Sequence, residues 1–149
     1  MTAPIRQHEH ACAVIEDHRG RLLLELRPST ARFAAGRLTC FGGKRDADES
    51  LEHCLRRELH EELGWTPDQT LVTACDLWLP HQFVARFYRC RWPAGTTPSC
   101  LPGVVPVWCP WPALPGLPLS PWHAAVLKAV AQGKTEVRLG APSVGSAGV

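Results

Sequence analysis

Leucine returns every fourth residue at positions 51, 55, 59 and 63, the spacing of one face of an α-helix. At about 100° per residue the four cover an arc of roughly 120°. Ser50 or Asp48 can cap the start of this helix and Gly64 suits its end. On the same wheel Glu62 falls at about 20°, inside the leucine arc, and Glu58 at about −20°, on its edge. Glu61 follows at roughly −80° with Arg57 beside it at about −120°. An amphipathic helix ordinarily sets its acids opposite its leucines. This one does not.

Elsewhere the pattern is that of strands and turns. Ala11 to Ile15 reads as a buried strand, 17–20 as a turn, and Arg21 to Leu26 as a second strand. Residues 27–37 form a loop that brings Arg27, Arg32 and Arg37 toward Gly42 and Gly43, and 38–41 are short and extended. Residues 71–79 and 82–92 are rich in β-branched and aromatic side chains and predict two paired strands, with Pro80 and His81 between them. The stretch 93–121 holds nine of the fourteen prolines, a density that excludes a helix and any long central strand. Val104, Val105, Val107, Trp108 and Trp111 favour an ordered strand-and-loop segment there over a disordered linker. Ser120-Pro121 then opens a helix through Gln132, with Trp122, Ala125, Val126, Ala129 and Val130 for packing and Gly133 to end it. The fold expected is α/β, a helix–sheet–helix sandwich about a mixed β-sheet, in a single domain over 1–139. Residues 140–149 are expected to be a disordered tail.

Charge sharpens the picture around the first helix. Seven of the fourteen acidic residues lie in 43–65, against Lys44, Arg45, Arg56 and Arg57, a local −3; the remainder carries twelve bases and seven acids, or +5. A negative site in a positive surround suits a metal–polyphosphate ligand, although chance partition of surface charge would look the same. No apolar run nears a membrane span and the N-terminus has no signal-peptide core, so a cytoplasmic location is expected. Seven cysteines, an odd number with no CxxC pair, read as reduced core residues rather than a disulfide framework or a nucleophile. Cys54 with His53 is a weak candidate for zinc.

Glu58, Glu61 and Glu62 stand at i, i+3 and i+4, so their carboxylates are neighbours that repel. Hard oxygen ligands in such a cluster suit Mg²⁺ or Mn²⁺, and Arg57 can hold them by pairing with Glu61 one turn on. The competing reading is a solvated acidic face, which the leucine arc argues against. Taken whole, Gly43 to Trp65 resembles the Nudix box, Gly-x5-Glu-x7-Arg-Glu-aliphatic-x-Glu-Glu-x-Gly-hydrophobic, with all nine defined positions filled. One departure is Cys40-Phe41-Gly42 where many members carry Pro-Gly before the box glycine.

That resemblance implies a metal-dependent hydrolase that cleaves a nucleoside diphosphate linked to another group. It implies Glu58, Glu61 and Glu62 as ligands of Mg²⁺ or Mn²⁺, Arg57 and Glu49 as their support through an ion pair, and Gly43 and Gly64 as tight backbone. Glu58 and Glu62 are the candidates for proton acceptor within the box; no acid outside it stands out. Lys44 and Arg37, with Arg27, Arg32, Arg86 and Arg89, are candidates for phosphate contacts. Trp108 and Trp111 are candidates for a stacking wall against a base, or else packing residues.

Nucleoside triphosphates or oxidised nucleotides are slightly favoured as substrates. Pro80, fifteen residues past the box, is the hint for ADP-ribose or a nucleotide sugar. Two further readings are a catalytically silent binding module and an isoprenoid diphosphate isomerase, for which no matching constellation is present. The partner expected is a small nucleoside diphosphate derivative, with no nucleic-acid polymer and no membrane; a homodimer is left open.

Overall fold

The structure is a computed structural model that describes residues 9–140. In chain order the elements are β1 (His10–Glu16), β2 (Arg21–Leu26), β3 (Leu38–Lys44), α1 (Leu51–Leu63), β4 (Val72–Leu79), β5 (Gln82–Arg91), β6 (Val105–Pro110), α2 (Pro121–Ala131) and β7 (Glu136–Arg138). The strands form one seven-stranded sheet in the order β6-β2-β3-β1-β5-β4-β7. β1 with β5 and β4 with β7 run parallel, and the other pairs antiparallel, so the sheet is mixed.

Two apolar clusters flank this sheet. Leu55, Leu59 and Leu63 of α1 pack with Ala11, Ala13, Ile15, Leu23 and Phe41. Val126, Leu127, Ala129 and Val130 of α2 pack with Val14, Leu22, Leu24, Leu77 and Phe87. A helix on each side of a sheet is the sandwich the pattern predicts. Burying each of the three α1 leucines, all 1% exposed or less, stabilises the helix by about 1.5–3 kcal/mol, well above any propensity term.

Three details differ from expectation. Proline density does not exclude a helix altogether: a single 3₁₀ turn forms at Trp111–Gly116 with Pro112 in its first turn and Pro115 inside, because a short turn asks for few backbone donors. Pro106 and Pro110 sit in β6, a terminal strand of the sheet, where a missing N–H costs least. β7 went unpredicted because three residues carry no period, and its pairing with β4 exists only in the fold. In α2 the buried set includes His123 and Leu127, whereas Ala125 and Trp122 are half-buried. The tail expected to be disordered lies, from residue 141, outside the described residues. Among the described residues no helix is long and apolar enough to cross a membrane.

Candidate active site

The site is built on both ends of α1. At its start the Ser50 hydroxyl accepts the His53 N–H at 3.1 Å, the N-cap that holds the first turn. At its end Gly64 takes φ +63° and its N–H reaches the His60 carbonyl at 3.0 Å, a left-handed cap that a side chain would strain. With both ends fixed and the leucines buried, the helix cannot rotate its acids away from the sheet.

Arg57 then organises the carboxylates. Its Nε and Nη2 donate to Glu49 Oε2 and Oε1 at 3.0 and 2.6 Å, a bidentate fork. Its Nη1 donates to Glu58 Oε1 at 3.0 Å and reaches Glu61 Oε1 at 3.5 Å. Nη2 also donates to the Lys44 carbonyl at 3.3 Å, tying helix to strand. The Arg57 fork, helped by the Asp46 N–H, outweighs burial and holds the Glu49 carboxyl down to about 2.

Glu62 is in the opposite condition. Burial first, then the hydrogen bond that protonated Glu62 donates to Glu58 and the charge of Glu25, push the Glu62 carboxyl up to about 9. Its Oε2 is buried with no hydrogen-bond partner. A Cβ on Gly43 would stand 2.4 Å from Glu58 Cδ, so only the bare glycine backbone admits this carboxylate. Among the described residues no three His, Cys, Asp or Glu side chains already converge on one point, and Glu61 turns outward with its side chain 52% exposed. An orphaned carboxylate oxygen, a second carboxylate sharing its proton and a glycine cradle nonetheless fit a hard divalent cation, which would take the place of that proton.

Beside Gly43 opens a cavity of about 190 Å³ lined by His10, Cys12, Glu25, Arg27, Thr39 and Lys44, among others. Of the residues expected to contact substrate, Gly43, Lys44 and Arg27 line it. Arg37 does not: it is exposed and donates to the Leu119 carbonyl at 3.4 Å. Trp108 packs between Arg21, at 5.4 Å, and Trp92, at 6.2 Å, and Trp111 donates to Glu16 and lines an apolar groove along α2. Neither ring lines the cavity. Arg86 and Arg89 are engaged by Asp76, at 2.8 and 3.0 Å, and by Glu16, at 2.5 Å.

Sequence reasoning passed over three cavity residues. Glu25, 7% exposed and paired with Arg27 at 3.5 Å, was one acid among seven outside the box. The available signal was a lone carboxylate closing the apolar run RLLLEL, two residues from the buried Leu23. His123 is 2% exposed and accepts the Cys40 N–H on Nδ1 at 3.0 Å; burial first, then His10 and Arg27, lower its ring to about 3. Phe33 had no periodic neighbour to mark it. The seven cysteines are free, and burial pushes the thiols of Cys40, Cys54 and Cys90 up to about 12, far from nucleophiles.

Comparisons with known proteins identify the family and the fold. The NUDIX domain family model matches residues 6–130. Among solved structures, the MutT protein of Methanosarcina mazei superposes with a TM-score of 0.71 at 20% identity, covering 88% of this chain and 97% of that one. A MutT NUDIX hydrolase from Burkholderia pseudomallei gives 0.66 at 26% identity over 81% and 95% of the two chains. The NUDIX domain of Shewanella oneidensis NrtR, in complex with ADP-ribose, gives 0.67 at 22% over 89% of each. No curated protein sequence matches the chain.

Proposed function

The chain belongs to the Nudix family and is a Nudix hydrolase, and within that family we propose that it cleaves a nucleoside triphosphate or oxidised nucleotide at the diphosphate with the help of Mg²⁺ or Mn²⁺. The observation that carries this reading is the Glu58 carboxylate, coupled to Glu62, packed on Gly43, which itself lines a cavity whose cations are Arg27 and Lys44. Carboxylates on one side and cations on the other suit a phosphate chain that arrives with its own divalent ion.

A divalent ion held there would neutralise phosphate oxygens, lower the pKa of water and stabilise the leaving group. This chain's residues supply the rest. Glu58 and Glu62 would hold the ion with Glu61 joining them, and either of the first two, or Glu25, whose charge reaches Glu62, would accept the proton of the attacking water. Arg57 keeps Glu58 in place and is itself held by Glu49. Arg27 and Lys44 orient the phosphates. As oxygen bonds to phosphorus, the bridging P–O bond breaks and a phosphate product carries away the electron pair.

A second reading, hydrolysis of ADP-ribose or a nucleotide sugar, is favoured by the ADP-ribose in the NrtR domain and by Pro80 at the β4–β5 turn. The experiment that tests both is product release from nucleoside triphosphates, oxidised nucleotides, ADP-ribose, nucleotide sugars and dinucleoside polyphosphates, with and without Mg²⁺ or Mn²⁺. Metal-dependent cleavage of the triphosphate class is expected. Cleavage confined to ADP-ribose or sugars would replace the first reading by the second, and no cleavage of any member by folded, metal-loaded protein would overturn both.

A further inference from the structure

We propose that Trp92 is a positioning residue for Glu62, acting through the segment 93–104, which it fastens across the C-terminal end of α1; this role rests on the reading of Glu62 as a ligand of the divalent ion. Glu61 and Glu62 stand in the last turn of α1, the part of a helix that frays. Two carboxylates there repel each other and the negative end of the helix dipole. Glu58, a turn earlier, has the Arg57 hydrogen bond to hold it. Glu62 needs another restraint.

The segment 93–104 supplies it. A helix ends with carbonyls that have no partner within it, and the Gly64 cap serves that of His60. The Ser99 N–H donates to the Leu63 carbonyl at 3.2 Å and the Leu101 N–H to the Glu62 carbonyl at 3.4 Å. The backbone of Glu62 is thus tied to a stretch of chain outside its helix. The approach is close: a Cβ on Gly64 would stand 3.0 Å from the Ser99 carbonyl oxygen. The glycine admits this segment as well as ending the helix.

Both ends of the segment are fixed. At the far end the Val104 N–H donates to the Leu101 carbonyl at 3.0 Å across Pro102 and Gly103, with Gly103 at φ +88°, the pattern of a type II turn. At the near end Trp92 does the fastening. Its backbone N–H donates to the Glu16 carbonyl at 2.8 Å, and its indole N–H donates to the Thr96 carbonyl at 2.7 Å. The ring is 3% exposed. It meets Trp65, the residue after Gly64, at 4.7 Å and Trp108 of β6 at 6.2 Å, both edge-on. One side chain therefore joins the exit of α1, the entry of the segment and β6. A buried indole N–H needs a partner, and here the partner lies in the segment that reaches Glu62.

The test compares Trp92→Phe, which keeps an aromatic ring and loses the N–H, with wild type in three measurements. Amide hydrogen exchange of the metal-free protein should quicken roughly tenfold in the last turn of α1, at Leu63 and Gly64, and stay unchanged in the earlier turns, at Leu55 and Leu59. Calorimetry with Mn²⁺ alone should give a Kd roughly tenfold higher. On the best nucleotide of the panel, at saturating Mn²⁺, kcat should fall roughly tenfold with KM unchanged. Leu101→Pro removes the N–H on the Glu62 carbonyl while the three tryptophans stay, and should give the same three changes; it decides the question where Trp92→Phe does not fold. Exchange that quickens equally in all turns would make Trp92 a packing residue and overturn the proposal, as would an unchanged Mn²⁺ Kd in either variant. A wild-type protein that binds no Mn²⁺ would instead bring down the reading of Glu62 as a ligand, and the positioning role with it.

Discussion

Glu49 and Glu62 lie at opposite ends of one box and are held in opposite states. Glu49 sits in a fork of two Arg57 hydrogen bonds at 2.6 and 3.0 Å, with a backbone N–H from Asp46, and its carboxyl falls to about 2. Glu62 has burial, the Glu58 carboxyl and the charge of Glu25 around it, leaves one oxygen without a partner, and rises to about 9. One carboxylate has all that it needs from the protein. The other keeps a buried oxygen that no protein group among the described residues satisfies. The lesson is that an acidic cluster divides by partnership: a satisfied acid builds the site and an unsatisfied one works in it.

Removing the unsatisfied acid should give the largest effect on activity. Glu62→Gln keeps shape and removes the charge, so turnover should fall by orders of magnitude while the melting temperature of the metal-free protein holds or rises. Activity within a few-fold of wild type would sink the metal assignment. Gly43→Ala should come next. Its Cβ would sit 2.4 Å from Glu58 Cδ, and Glu58 cannot simply retreat because Arg57 holds it at 3.0 Å. We expect roughly 100-fold lower turnover, read from kcat, together with a lower urea midpoint, because relieving the overlap disturbs the Arg57–Glu58 hydrogen bond. Unchanged kcat would mean that Glu58 acts from another position.

Glu49→Gln attacks the satisfied side. It weakens a charge-assisted fork whose acid side chain is 9% exposed, so it should cost about 2 kcal/mol of stability and release Arg57 to the remaining carboxylates. Denaturant titration measures the first effect, and a change in divalent-ion affinity by calorimetry the second. A variant as stable as wild type would show that the fork is a surface pair and would blunt the contrast drawn here.

Much of this was legible before the fold was known. Leucine spacing with Gly64 located α1 and its end, Ser50 was one of two candidates for its cap, and the wheel position of Glu62 inside the leucine arc anticipated a half-buried acid. What stayed illegible was what the sheet brings together. Glu25 stands at the end of β2 and meets Glu62 only because β2 and α1 cross the same core. Phe33 and Ala34 sit in a loop whose shape depends on Arg37 and Gly36 closing back on Arg27. Trp108 and Trp111 looked suited to stacking because they follow the sheet in a stiff segment, but β6 lies at the sheet's far edge from β5 and β4, and pairing with Leu23 turns Trp108 toward Trp92. Periodicity reports which face a residue occupies, and it is silent on which faces meet.

The smallest expected effect extends the contrast to acid. His123 resembles Glu62 in having a buried atom, Nε2, without a hydrogen-bond partner, and its ring is lowered from 6.5 to about 3. Below pH 6.5 the unfolded chain takes up a proton on this ring that the folded protein refuses. The contribution of this ring is therefore full above pH 6.5 and falls as pH drops toward 3, by roughly 0.7 kcal/mol between pH 7 and 6 and up to about 1.4 kcal/mol per unit below that. It runs against an opposing gain from Glu62, whose carboxyl at about 9 in the fold takes up its proton before the unfolded chain does. Glu49 adds a second limb with its own window. Its folded value of about 2 lies below the unfolded 4.5, so its contribution is present above pH 4.5 and is lost between there and pH 2. Two variants separate the limbs in denaturant titrations across pH. His123→Gln, which still offers the Cys40 N–H an acceptor, should flatten the decline between pH 6.5 and 4.5, and Glu49→Gln only the part below. A His123→Gln variant whose stability changes between pH 7 and 5 just as the wild type's does would mean that the His123 ring finds a partner for its proton in the cavity, and would move it from the unsatisfied group to the satisfied one.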